Sequence, residues 1–417
     1  MSTAAADRRL LYTASFLRAL GTGTIGILLG IYLPALGIGI ETSGFIVTLG
    51  LAGVACSAVV ATFAGDRVGR RRCLVGIAGV MAVSSALAAL THDVRLLAIA
   101  AFAGGLNGMG RDRGGALVLE QAMLPGTIAA HDRTRAFAWY NVLQDIGHAL
   151  GGLVVGSMAV LQQRMGMATT HAARVVWMVY PLALGIGAML YLRLSPAIEP
   201  ERRQSVEGPD EHSPGRSRPA LTPQTRRVLW RISLLFAMDS VAGGFLTTAL
   251  LTYFFFERFG TSALVIGGLF AAARVLNAFS HLGAAWLARR IGLVNTMVFT
   301  HLPSSFLLVT VAYAPNFAVA AALFLIREAL VEMDVPTRQS YVMALVRPEE
   351  RTLVSGITNI VRMVGWTVGP VLTGFLMSHA GLGTPLAIGA GLKILYDLAL
   401  WRAFRHIRPP EEREWSQ

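Results

Sequence analysis

Long apolar stretches separated by short polar ones dominate the chain, and their length predicts helices that cross a bilayer. A hydrocarbon layer about 30 Å thick takes about 20 residues of helix at about 1.5 Å each. Runs of that kind lie near 10–33, 44–65, 73–92, 96–124, 135–161 and 172–194, then near 228–256, 262–287, 292–315, 317–346, 352–378 and 382–404. Between the sixth and seventh, SPAIEPERRQSVEGPDEHSPGRSRPALTPQTRR is rich in Pro, Ser, Glu and Arg. Such a stretch cannot bury a core of its own. It predicts a cytoplasmic linker at 195–227, joining a six-helix bundle at 1–194 to a second at 228–417.

Composition sharpens that picture. Of 417 residues, 54% are apolar and only 14% charged, against about a quarter charged in an ordinary soluble protein. A soluble enzyme is excluded, and the unbroken apolar runs do not alternate as the strands of a membrane barrel would. No HExxH, Gly-x-Ser-x-Gly, Walker loop or His/Asp metal cluster is present, so nothing supports an embedded enzyme, an ATP-driven pump or a cofactor. Cys56 and Cys73 show no metal-ligand spacing, and no disulfide is expected. In a soluble chain the net charge of +12 would suggest nucleic acid, but here the arginines read as topology. Placing both termini in the cytoplasm leaves only Arg95, Arg164, Arg174 and Arg258 outside. The N-terminal MSTAAADRRLLYTASFLRAL runs into the first span without a small-residue cleavage site, which predicts a retained cytoplasmic tail in the inner membrane.

The halves repeat. A shift of 218 positions pairs Gln121 with Gln339, Arg133 with Arg351 and Asn141 with Asn359, and lays Gly147, Gly151 and Gly156 on Gly365, Gly369 and Gly374. Polar residues kept in register with glycines point to two related six-helix units. Between the second and third spans the chain reads TFAGDRVGRRRCL. This loop resembles the signature loop of the major facilitator superfamily, with Thr62 where the family has a leading glycine. The resemblance implies an all-α membrane protein of 12 transmembrane helices that works by alternating access. It gives Asp66, with Arg67, Gly69 and Arg70, a gating role. An acid at a helix end can hold a facing helix in one state and release it in the other. The second-half counterpart, AAWLARRIGLV, keeps Arg290 and Gly292 but has Arg289 in place of the acid, so an asymmetric gate is expected. The glycines of the fifth span and the Gly365, Gly369-Pro370, Gly374 stripe of the eleventh resemble the glycine-rich motif of the superfamily's drug–proton antiporters. That family places its Gly-Pro pair in the fifth span; here it stands in the eleventh.

The sharpest chemistry is charge at hydrocarbon depth, where an unpaired ion at a helix centre costs about 2.5–3.5 kcal/mol or more. Residues near the midplane between the halves are the substrate candidates: Arg18, Arg111, Asn141, Asp239, Arg274, Arg327, Asn359 and Arg362. Successive residues of the helical fourth span lie about 100° apart, so Arg111 is expected to face the substrate while Asp112 and Arg113 turn to interhelical pairs. Asp112, Asp145 with His148, and Glu328 are the proton-carrier candidates, each able to change protonation as access changes. Glu120, Glu332 and Asp334 lie nearer the cytoplasmic end and are expected in gating networks. The reading is a monomeric, proton-coupled secondary transporter that exports a small organic solute by antiport, with the lipid bilayer and no nucleic acid as partner. Its alternative is proton-driven uptake of an anionic metabolite. That alternative gains if Arg18, Arg111, Arg274 and Arg362 converge on one cavity without carboxylate partners.

Overall fold

The computed structural model describes residues 3–128, 133–199, 222–335, 337–338, 341 and 351–407. The side chains of a few residues within its helices, Asp66 among them, lie outside that description. The first half comprises α1 (Thr3–Ala35), α2 (Ile40–Val68), α3 (Arg70–Leu90), α4 (Val94–Gly104), α5 (Gly115–Met123), α6 (Arg133–Met165), α7 (Thr169–Trp177) and α8 (Val179–Leu192). The second comprises α9 (Pro223–Gly244), α10 (Thr248–Phe259), α11 (Ala263–Ile291), α12 (Leu293–Ala312), α13 (Phe317–Val331), α14 (Arg351–Ala380) and α15 (Thr384–Phe404). Several spans are interrupted among the described residues, the tenth by the turn at Glu332 and Met333 that ends α13. The fourth is α4 with α5, the sixth α7 with α8, and the seventh α9 with α10.

Among the described residues, eight segments are long and apolar enough to cross a membrane by themselves. The four spans missing from that set are the fourth, fifth, tenth and twelfth. They carry a break or buried polar groups: the gap between α4 and α5, His148 on α6, Arg327 and Glu328 on α13, and Lys393 and Asp397 on α15. A helix that holds charge at membrane depth needs neighbours to pair it, so the tenth and twelfth spans depend on the fold, as do α1 with Arg18 and α9 with Asp239.

The buried apolar residues fall into three clusters. One, at the end of the molecule away from the termini, joins both halves: Ile25 to Leu33 of α1 pack with Phe254, Phe255, Leu308 and Phe324. The other two lie at the terminal end, one in each half, around Leu11, Leu74 and Tyr140 and around Ile232, Met297 and Phe404. Glycines let the far-end seam close. A Cβ on Gly267 would meet the carbonyl oxygen of Gly152 at 2.3 Å, one on Gly44 that of Pro370 at 2.5 Å, and one on Gly30 that of Ala249 at 2.1 Å. The α6–α11 and α2–α14 contacts are two versions of one contact, because Gly152 and Pro370 are related by the 218-residue shift. Small residues permit this backbone approach between helices in lipid. The halves are therefore sealed together at the far end and keep separate cores at the other.

Candidate functional site

The site begins with the break in the fourth span. Five glycines fall between residues 105 and 115 of LNGMGRDRGG and its flanks. Gly105 ends α4 at φ 53°, and Gly110 sits at φ 63°, a conformation that glycine adopts without the Cβ penalty. The non-helical stretch turns its carbonyls to the other half. Gly108 accepts from the Ala249 N–H at 2.9 Å, Met109 from the Thr248 hydroxyl at 2.7 Å and Gly110 from Arg274 at 3.2 Å. Freed from helical geometry, both Arg111 and Arg113 line the central cavity, while Asp112 points back to α1. The helical-wheel expectation, which sent Arg113 away with Asp112, fails because the segment is not a helix.

That cavity encloses about 140 Å³. Seven cationic side chains line it against four carboxylates among the described residues. Arg111 is paired with Glu332 at 2.8 Å and Arg327 with Glu328. Arg338 holds Asp334 at 2.6 Å and Asp239 at 3.4 Å, and Lys393 reaches Asp239 at 3.0 Å. Arg113 and Arg362 are different. The Arg113 guanidinium lies 3.8 Å from the centre of the Trp366 ring, and that of Arg362 lies 4.8 Å from the same ring. Arg362 meets Asp239 only at 3.9 Å, and its buried Nε has no hydrogen-bond partner. Two guanidiniums from opposite halves thus flank one indole at the cavity wall, an arrangement held by cation–π attraction. Phe270, Phe324 and Leu251 supply apolar walls.

Behind the cavity each half holds a buried ionic cluster. In the first half Arg18 of α1 is bound by Asp112 and, through both terminal nitrogens, by Glu120 at 2.8 and 2.6 Å. Tyr140 and Tyr191 also donate to Glu120, at 2.6 and 2.5 Å. In the second half His301 of α12 sits with Nδ1 at 2.9 and 3.0 Å from the two oxygens of Asp397. Its Nε2 is 3.3 Å from the Lys393 ammonium.

The fold and the charge pattern are those of a membrane carrier, and a family comparison settles which kind: the Major Facilitator Superfamily model matches residues 11–367. The chain belongs to that superfamily. It is a secondary transporter rather than an enzyme, as the sequence indicated. It is 27% identical over 420 residues to the uncharacterized membrane protein YJR124C of Saccharomyces cerevisiae, covering 95% of this chain and 94% of that one. Its fold resembles a bacterial homologue of the human lysosomal transporter Spinster in an inward-facing, unoccupied conformation, at TM-score 0.71 and 14% identity over 97% and 96% of the two chains. It also resembles the nucleoside transporter NupG at 0.72 and 15%, over 97% and 100%, and a D-xylose–proton symporter at 0.72 and 16%, over 96% and 98%.

Within this superfamily member the predicted site residues separate into groups. Arg111, Asp239, Arg274, Arg327, Glu328, Glu332, Asp334 and Arg362 share the cavity. Arg18 and Glu120 are sealed in the first-half cluster instead, with Asp112. Buried His148 accepts from the Asp112 N–H at 3.3 Å, while Asp145 is half-buried on α6 and outside the cavity lining. Asn141 and Asn359 are exposed and do not line it.

In the signature loop Gly69 turns the chain at φ 104°. Glu199, at the start of the linker stretch, accepts from the Arg70 and Arg71 N–H groups at 2.7 and 2.9 Å and so caps α3. The Arg70 guanidinium donates to the Ala122 carbonyl at 3.0 Å, Arg67 is exposed, and the Asp66 side chain lies outside the described residues. Sequence reasoning missed Glu199, Trp366, Arg338 and His301 as site residues. Arg338 had a signal, since the 218-residue shift places it on Glu120.

Proposed function

We propose that this transporter moves a small organic anion across the cytoplasmic membrane by alternating access, coupled to protons. One observation carries the reading: the surplus of cations around the cavity, headed by Arg113 and Arg362 against a shared tryptophan. Guanidiniums bind carboxylate and phosphate oxygens in a planar fork and are less strongly hydrated than an ammonium, so a cavity rich in them favours an anion. The apolar wall of Phe270, Phe324 and Leu251 suits a carbon skeleton rather than an inorganic ion.

The halves, 1–194 and 228–417 joined by the linker 195–227, rock about the far-end seam in this reading. With both termini cytoplasmic, the described conformation faces inward. An anion seated between Arg113 and Arg362 neutralises like charges contributed by opposite halves and favours their approach. That differential contact is what a ligand needs in order to shift a conformational equilibrium. The anion also competes with Glu332 for Arg111 and with Glu328 for Arg327, and a buried carboxylate deprived of its cation takes up a proton. Anion and proton then travel together, so the cavity favours uptake by symport. Export by antiport, which the glycine stripes suggest, is the second reading. A single chain encloses the whole cavity, which supports a monomeric unit with lipid around it.

The test uses proteoliposomes holding the purified chain under an imposed pH gradient. Radiolabelled mono-, di- and tricarboxylates and organic phosphates are offered beside neutral xylose and a nucleoside. The expected result is gradient-driven accumulation of at least one anion, lost in Arg362→Gln. Transport of a neutral solute that none of the anions inhibits overturns the proposal. Movement of the anion against the proton rather than with it would restore the antiport reading.

A further inference from the structure

His301 is a buried titratable group of the cavity that the transport scheme above leaves unused. It is 2% exposed, stands in the middle of α12 and lines the cavity together with Lys393; Asp397, 0% exposed, stands behind it. The hydrogen bonds fix the roles of the ring nitrogens. A lysine ammonium only donates, so at 3.3 Å from it Nε2 must accept. The ring hydrogen then sits on Nδ1 and is donated to the Asp397 carboxylate, whose two oxygens are at 2.9 and 3.0 Å. This is a neutral imidazole with a carboxylate braced behind it and a cavity-facing nitrogen in front.

We infer that His301, oriented by Asp397, is a proton-binding site of the transporter, and that protonation of its Nε2 displaces the Lys393 ammonium towards the cavity. The proton comes from cavity water and enters at Nε2, the ring nitrogen not occupied by Asp397. Once protonated, Nε2 is a donor facing a donor and a cation facing a cation, so the contact with Lys393 cannot persist. Asp397 remains to balance the imidazolium. Lys393 keeps its bond to Asp239 at 3.0 Å and pivots on it.

The other charged and titratable groups around α12 are already engaged or stand apart. From α15, the Tyr396 ring meets the imidazole edge-on at 6.0 Å. From α9, Asp239 is shared with Arg338, and Arg362 of α14 lies 3.9 Å from it. From α13, Arg327 and Glu328 pair with each other. From α11, Arg274 donates to the Gly110 carbonyl, and Arg290 at the terminal end stacks on Trp286. His301 is therefore the group in this network whose partners on one side demand neutrality and on the other tolerate charge. Displacement of Lys393 adds a mobile cation to the cavity when the proton binds. That consequence rests on the anion reading, whereas the proton site itself does not.

Lys393 is the only lysine in the chain, which makes the test direct. The full-length protein is purified in detergent with ¹⁵N-labelled histidine and lysine and titrated by NMR from about pH 5 to 9, the range in which imidazoles change charge. One imidazole signal, absent in His301→Gln, is expected to titrate, and the single lysine signal is expected to move with the same midpoint. Asp397→Asn and Lys393→Gln should each change the His301 midpoint by about tenfold in proton concentration, one unit being the effect of a single strong neighbour. If His301→Gln does not purify, the one signal whose midpoint moves in both other variants supplies the assignment. An imidazole that stays in one form throughout, a midpoint indifferent to both neighbours, or a lysine signal that ignores the histidine titration overturns the inference. None of these readings involves cargo, so failure of the anion assay would leave this result standing.

Discussion

The first and fourth spans of one half and the seventh and tenth of the other solve the same problem with opposite charges. In the first half an arginine on the leading helix, Arg18, is held by an acid on the fourth span, Glu120. In the second an acid on the leading helix, Asp239, is held by an arginine on the tenth span, Arg338. The shift of 218 that relates the halves puts Glu120 and Arg338 at the same position. The outcomes differ because the first cluster is closed off by two tyrosine hydroxyls and the second opens on the cavity through Lys393 and His301. Among the described residues that line the cavity, only Met109, Arg111 and Arg113 come from the first half. One half supplies most of the chemical surface, and the other supplies a rigid ionic core and a short unwound strip. Repetition of a fold unit fixes where a buried ion pair is needed but not which partner carries which sign.

The sharpest way to break this comparison is to remove an acid from each cluster. Glu120→Ala leaves Arg18 short of a carboxylate and two tyrosine hydroxyls without an acceptor, and breaking a buried pair in this way costs about 3–5 kcal/mol. Asp239→Ala faces a cavity that admits water and should cost less stability while abolishing transport. Thermal unfolding of both purified variants in detergent checks this; equal losses would remove the distinction between a sealed and an open cluster.

A smaller effect is expected at the shared indole. If the cargo is the anion proposed above, Arg113→Gln and Arg362→Gln each lose a charged contact with it, worth about 1.5–3 kcal/mol, so uptake in proteoliposomes should fall by about 10–100-fold with unfolding temperatures little changed. Similar losses from Arg18→Gln at preserved stability would show that the first-half cluster also contacts cargo. At the seam, Gly267→Ala places a Cβ 2.3 Å from a carbonyl oxygen, whereas Gly268→Ala meets nothing within 4 Å. Overpacking of this kind costs about 1–3 kcal/mol, so only the first variant should unfold at lower temperature.

The smallest effect concerns helix caps. Asp93 caps α4, and the N–H groups of Leu96 and Arg95 hold its carboxyl below the usual carboxylate range. A depressed value stabilises the fold above the unfolded-state pKa and is lost as pH falls through the folded one. Asn316 caps α13 through the Val319 N–H at 3.0 Å and does not titrate. Amide exchange in the first turn of α4 should therefore quicken below about pH 4, while that of α13 shows no matching change.

Hydropathy made the twelve spans legible because lipid leaves few other ways to satisfy a backbone. It hid the break in the fourth span, since Gly105 to Gly115 read as apolar filler although five glycines there were also a warning. Depth put Arg111, Arg274 and Arg362 at mid-span, and all three line the cavity. It could not tell that Arg18, at similar depth, faces away, because direction depends on which partner lies behind the helix. Lys393 and Asp397 were visible as embedded charges at a spacing of four. Their partner His301 was a lone histidine in TMVFTHLPSS, 96 residues from Asp397, and only packing of α12 on α15 brings the three together. Glu199 was hidden for another reason: it caps a helix that begins 129 residues earlier.

The unwound strip has a kinetic consequence. Three successive carbonyls, of Gly108, Met109 and Gly110, are gripped by the opposite half, and a motion that parts the halves at that level has to break all three. They behave as a latch, and turnover should be limited by how quickly water replaces all three grips together. Such a latch slows turnover, and trimming a single threonine hydroxyl at position 248 should hurry it.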